Sequence, residues 1–222
     1  MSNLSFDLQL LNACAALLLL LSFAMLSQRR IVTMVNLLAL QGVLLGLATL
    51  LLAWRTGKSH LYFSALLTLS LKAVFMPWLL HRLIKRLDVY WDSEPLLNSA
   101  ATMLVGLLIV VFSFGLAQPI AALASTATRS AIGIAVAVVL LAFLTMITRR
   151  KAMSQVVGFL SMENGLFFGA MSATYGMPMI IELGVALDVL VAMLVLGVFF
   201  FQIREQFDSL DLHHLESLKE DK

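Results

Sequence analysis

Charge is scarce in this chain. Of its 222 residues only 13% are Asp, Glu, Lys or Arg, while 61% are hydrophobic. A soluble domain of that length needs more polar surface to cover its core, so a single large soluble helical domain is a poor reading. Cysteine is almost absent. One residue, Cys14, rules out an internal disulfide. It also rules out an iron–sulfur cluster held by this chain alone, which takes about four ligands. Cys14 is expected to pack as a small apolar residue. There is no glycine-rich phosphate loop, Ser/His/Asp set, CxxC or basic nucleic-acid surface, and His213-His214 lacks metal-ligand spacing. The chain is therefore expected to do no redox chemistry by itself and to hold no metal or cofactor. A basic stretch is also missing ahead of the first apolar run. No clear small-residue cleavage site follows that run, so it is expected to be a retained helix.

Long apolar runs are abundant. Seven of them, at roughly 8–26, 31–53, 61–84, 97–118, 130–148, 153–174 and 178–202, can each cross a bilayer as a helix. The expected fold is an all-α integral membrane protein with about seven transmembrane helices. The basic residues set its orientation. One side collects Arg29, Arg30, Arg82, Lys85, Arg86, Arg149, Arg150, Lys151, Arg204, Lys219 and Lys222. The other has Arg55, Lys58 and Arg129, and Lys72 is left inside the membrane. The N-terminus is thus expected outside and the C-terminus in the cytoplasm. Trp54, Tyr62, Tyr90, Trp91 and Tyr175 lie near run ends, as interfacial aromatics do. Trp78 lies deeper and reads as a packing residue.

An internal repeat is expected to organise the runs, the alternative being two unrelated helical hairpins with arginine turns. Arg29-Arg30 opens the second run and Arg149-Arg150 opens the sixth. Gln41-Gly42 falls mid-run where Glu163-Asn164-Gly165 falls later, and Lys72 corresponds to Asp188. This divides the chain into a first three-helix unit (1–87), a spacer helix with loops (88–129), a second three-helix unit (130–203) and a cytoplasmic tail (204–222). Three crossings invert the chain and a fourth restores it, so the two units should be parallel. In the tail, Leu210, Leu212, Leu215 and Leu218 read either as a short amphipathic docking segment or as a frayed end.

Gln41, Lys72, Glu163 and Asp188 each fall near the membrane midplane. An ionisable group there costs about 2.5–3.5 kcal/mol on insertion scales and normally faces a bundle interior or a wet cavity. Such a row, with water between its members, is what a proton path requires. The bland alternative pairs one acid with Lys72 as a static lock between helices, and makes Gln41 interhelical glue. Pro77, five residues after Lys72, is expected to free a backbone carbonyl, and either kinks its helix to open space for water beside Lys72 or is an ordinary membrane-helix proline. Glu182 lies near the outer end of the seventh run, as an entrance or a solvated group. His81, at the cytoplasmic end of the third, either passes protons to Lys72 or sits at the interface.

Four stretches resemble the hydrogenase-4 membrane component E family: Gly158 to Gly165 with its Met162-Glu163-Asn164-Gly165 core, Glu182 to Asp188, Ser209 to Lys219, and Leu71 to Pro77. The last three runs also resemble the small K subunit of respiratory complex I and the C subunit of Mrp-type antiporters. Those proteins carry two midmembrane acids on successive helices, where Glu163 and Asp188 fall. In the first unit both acids are replaced, by Gln41 and Lys72.

The resemblance implies a non-redox membrane subunit of a group 4 [NiFe]-hydrogenase, such as a formate hydrogenlyase, in a bacterial or archaeal cytoplasmic membrane. Nickel–iron and iron–sulfur centres would belong to soluble partner chains, among them a hydrogenase-like large subunit. Antiporter-like chains would lie alongside in the bilayer. Glu163, Asp188, Lys72, Gln41, Glu182 and His81 would form the proton pathway, with no nucleic acid involved. Two other classes stay open: a subunit of a cation/proton antiporter or inorganic-carbon uptake complex without a hydrogenase, and a structural scaffold.

Overall fold

A computed structural model describes residues 6–57, 59–88, 90–92, 98–122 and 126–174, and the single positions 184, 187, 189–191 and 193. Contacts divide the chain into one unit of Met1–Val185 and a second of Ala186–Lys222. In the first unit the helices are α1 (Phe6–Ser27), α2 (Ile31–Thr56), α3 (Ser59–Thr68), α4 (Met76–Leu87), α5 (Ser99–Ala122), α6 (Thr126–Thr148) and α7 (Ala152–Thr174). A π-helical segment, Leu69–Phe75, joins α3 to α4 into one crossing. Six spans among the described residues are long and apolar enough to traverse a bilayer. The protein is an all-α, multi-pass membrane protein. The seventh run lies mostly outside the described residues, and its described positions are helical.

Helices form here because each one satisfies its own backbone bonds in a solvent that offers none. Hydroxyls are absorbed the same way. Ser22, Thr49, Thr145 and Thr148 each donate to the carbonyl four residues back. Helix ends are closed by local devices. Asn98 Oδ1 accepts the Ala100 amide at 2.7 Å to start α5. Gly57 ends α2 at φ +64° and returns its amide to Ala53 O. Among the described helices only α4 is strongly two-faced. Leu79, Leu80, Leu83 and Ile84 are buried, while Arg82, Lys85 and Arg86 are exposed.

Helix α6 packs on α7, α5 and α1, and α2 packs on α1, α7 and the α3–α4 crossing. The main core gathers Cys14 and Leu18 of α1, Leu45 and Leu52 of α2, Val138 of α6, and Phe168 and Met171 of α7. Cys14 is buried there as a small apolar residue. Trp78, expected in the packing, instead lies on the outer face, 53% exposed. Arg82 sits over its ring at 5.4 Å, which suits a side chain with one apolar body and a cation to meet.

The third crossing accommodates Pro77 differently from a simple kink. The Met76 amide reaches back five residues, to Leu71 O, so this turn holds one residue more than an α turn just ahead of the proline. Helix α2 lies directly against this segment. A Cβ on Gly42 would stand 2.7 Å from the carbonyl carbon and oxygen of Lys72, closer than real contacts come. Backbone cannot move aside as a side chain can. Gly42→Ala should therefore lower stability by about 1–3 kcal/mol. Gly115→Ala, where nothing lies within 4 Å, should stay within about 0.5 kcal/mol of the parent or gain slightly from helix propensity. Thermal unfolding of both variants in one detergent checks the contrast.

Candidate functional site

Helix α7 presents Glu163 and Asn164 side by side. Successive helical residues diverge by about 100°, so the two face different neighbours. Glu163 faces the π segment. Its Oε1 lies 2.9 Å from Lys72 Nζ, with the two side chains only 2% and 4% exposed. One turn further on, the ring of Phe167 lies 5.6 Å from the same ammonium. Lys72 thus meets a carboxylate and the electron-rich face of an aromatic, two groups that stabilise a cation away from water. Thr68, one turn before Lys72, is fully buried, and its hydroxyl makes no hydrogen bond.

Asn164 faces α2. Its Nδ2 donates to Gln41 Oε1 at 3.3 Å. Gln41, fully buried, donates from Nε2 to Ser22 Oγ at 3.0 Å, and Ser22 donates to Leu18 O at 3.0 Å. Every donor in this line points from α7 through α2 to α1, and the line ends on a backbone carbonyl. The described structure thus brings Gln41, Lys72 and Glu163 into one layer. His81 stands nine residues after Lys72, roughly 13 Å along the axis. Its Nδ1 is 2.7 Å from Pro77 O, so that nitrogen carries the proton it donates. Asp188 and Glu182 lie outside the described residues. Among the described residues no three His, Cys, Asp or Glu side chains gather as a metal site would need.

A second polar cluster closes the end where the two arginine turns lie. Arg149 is buried. Its Nη1 lies 3.2 Å from Asp92 Oδ2, and its Nη2 donates to Leu26 O at 2.9 Å and to Gln28 O. The segment Tyr90 to Asp92 is wedged between the two turns. Tyr90 O accepts the Ile31 amide, the Asp92 amide donates to Arg29 O, and Trp91 O accepts from Lys151. Arg30 stacks on the Trp91 ring at 4.5 Å. Sequence reasoning used Arg149 as a topological charge and a repeat marker and passed over Asp92. Nothing in the local pattern shows that this arginine turns inward, or that the loop after α4 folds back to meet it.

Both ion pairs have the energetics of buried charges. Lys72→Met alone should lower stability by about 3–5 kcal/mol, because the buried Glu163 carboxylate loses its ammonium partner. The Lys72→Met/Glu163→Leu double variant should recover most of that loss. Arg149→Met should cost a similar amount, and Asp92→Asn less, since an amide oxygen still accepts from the guanidinium. Unfolding of the four purified variants in detergent measures the order; a double variant no more stable than Lys72→Met would refute it.

No protein-family model matches the chain, and no solved structure matches it. Over 148 residues, 67% of this chain and 68% of the relative, it is 24% identical to Hydrogenase-4 component E of Escherichia coli. The same figures hold for the protein of that name in Shigella flexneri. That likeness is distant. Over 221 residues, 99% of this chain and 100% of the relative, it is 36% identical to "Uncharacterized protein Rv0085" of Mycobacterium tuberculosis. At that identity and coverage, the chain belongs to the same family as this mycobacterial protein.

Proposed function

We propose that this chain is the membrane subunit of a multisubunit complex of the hydrogenase-4 type, and that the Lys72–Glu163 pair belongs to a midmembrane proton path. One observation carries the reading: an ion pair at 2.9 Å, almost wholly buried, inside a bundle of apolar helices. A charge pair there is expensive, and a hydrophobic pair of similar volume often serves stability as well. Its presence there therefore points to use. The distant likeness to Hydrogenase-4 component E supports the choice of complex. Nickel and iron–sulfur centres would sit in partner chains, with antiporter-like chains beside this one in the membrane.

The path would run on the pairing itself. With Lys72 close, the Glu163 carboxylate has a cation to balance it. Moving the π segment away takes that cation from the carboxylate and favours its binding a proton. Closing the pair again releases that proton. Asp188, Glu182 and His81 would be the other members of the path. Gln41 would hold α1, α2 and α7 in register. The orientation that goes with this scheme puts the arginine turns and the C-terminus on the cytoplasmic side.

A second reading has one observation in its favour. The Asn164–Gln41–Ser22 line ends on a carbonyl, which suits a scaffold that fastens helices together. The two readings separate experimentally. Mild-detergent purification through a C-terminal tag should bring down a hydrogenase-like large subunit with nickel; antiporter-like chains without nickel would move the assignment to an ion or inorganic-carbon transport complex. In the nickel-bearing complex, Glu163→Gln should leave hydrogen formation within about twofold and cut coupled proton movement by roughly tenfold or more. Normal pumping in that variant would leave the scaffold reading.

A further inference from the structure

The wedge at the arginine end leaves a surface cavity of about 330 Å³ lined by Arg30, Val32, Thr33, Tyr90 and Trp91. It plays no part in the buried ion pairs. Its chemistry is nevertheless specific. Arg30 supplies a fixed cation, because its guanidinium is stacked on Trp91 at 4.5 Å. Val32 and Thr33 belong to the first turn of a 26-residue helix. First-turn amides have no carbonyl behind them within the helix, and they add partial positive charge. Tyr90 and Trp91 are exposed and flank the opening. The cavity stands where span Ile31–Thr56 begins, at the level where headgroups meet water.

The outer face of α2 continues from this cavity. Asn36, one turn in from Thr33, is exposed. Leu40, Val43, Leu47 and Leu50 follow on the same face at three- and four-residue steps, all exposed. The order down the helix is thus cation and helix start, then an exposed amide, then an apolar track. A phosphodiester, its glycerol esters and an acyl chain follow in the same order. We infer that this face is a binding site for an anionic phospholipid. The phosphate meets Arg30 and the Thr33 hydroxyl, the esters meet the Asn36 amide, and one chain lies along α2. A free phosphate ion shares the first contact but has no use for the track. The site does not rest on the proton-path reading.

The test uses the full-length chain in mild detergent, with native mass spectrometry reading lipid bound as phosphatidylglycerol is titrated. Arg30→Gln should weaken binding about tenfold, the loss of one charge-assisted contact. Arg29→Gln removes the same charge from the same exposed turn but not from the cavity, and should change binding by less than about twofold. Asn36→Leu, which leaves every cavity residue in place, should weaken it by about three- to fivefold, the loss of one neutral hydrogen bond. Phosphatidylcholine with the same chains should bind well below phosphatidylglycerol, and inorganic phosphate should fail to displace the lipid. Equal loss in Arg29→Gln and Arg30→Gln would overturn the site in favour of diffuse attraction. Displacement by inorganic phosphate would overturn the lipid as its occupant. If a partner chain rather than lipid covers α2, phosphatidylglycerol binds no better than phosphatidylcholine, and the inference fails.

Discussion

Keeping Lys72 and Glu163 together away from water constrains much of the first unit. Two charges 2.9 Å apart stabilise each other in an apolar layer, so separating the helices that carry them is costly. Helix α7 delivers the acid. The third crossing delivers the cation from a π segment, where one extra residue is accommodated just ahead of Pro77. Helix α2 presses on the backbone of that segment through Gly42, with no room for a side chain. The ion pair, the π segment and the missing Cβ act as one device. The glycine permits the approach, the proline favours the irregular ladder, and the ladder sets where the ammonium lies.

Asn164 and Glu163 show how one helix can serve two partners. The carboxylate reaches the third crossing, and its neighbouring amide reaches Gln41 on α2 and, through it, Ser22 on α1. Most of the remaining helix–helix contact in the core is apolar, and dispersion between close-packed surfaces holds it. Dispersion does not choose among rotations of a helix about its own axis. Side-chain hydrogen bonds do, because a buried amide turned toward lipid loses its partner outright. The polar layer therefore fixes the rotation of α1, α2 and α7, whatever else it does.

At the basic end the constraint is carbonyl satisfaction. Arg149 occupies the carbonyls of Leu26 and Gln28 and pairs with Asp92. The α1–α2 turn, the loop after α4 and the α6–α7 turn are thereby fastened by one guanidinium. Its planar fork spreads donors over separate nitrogens, so it reaches acceptors on three segments that a lysine would have to gather around one atom. Fastening that end also shapes the cavity beside Arg30, since Trp91 is held from both sides by Ile31 and Lys151 through its neighbours and its own carbonyl.

The apolar runs alone determined that the chain crosses the membrane, how many described spans it has, and where they begin and end within a few residues. Length and hydropathy are one-dimensional, and a bilayer reads them directly. The acid in Met162-Glu163-Asn164-Gly165 and the cation at Lys72 were also legible, because a charge in an apolar run is conspicuous by its cost. Which groups meet was not. Along these helices lipid-facing and protein-facing positions are equally apolar, so periodicity does not reveal the buried face. Trp78 reads as core and lies outside, while Arg149 reads as a surface charge and lies inside. Only the tertiary structure decided that Lys72 pairs with Glu163, that Gln41 answers Asn164, and that Asp92 closes the arginine turns. Those choices depend on helix rotation and close approach, which distant segments set together and no single segment encodes.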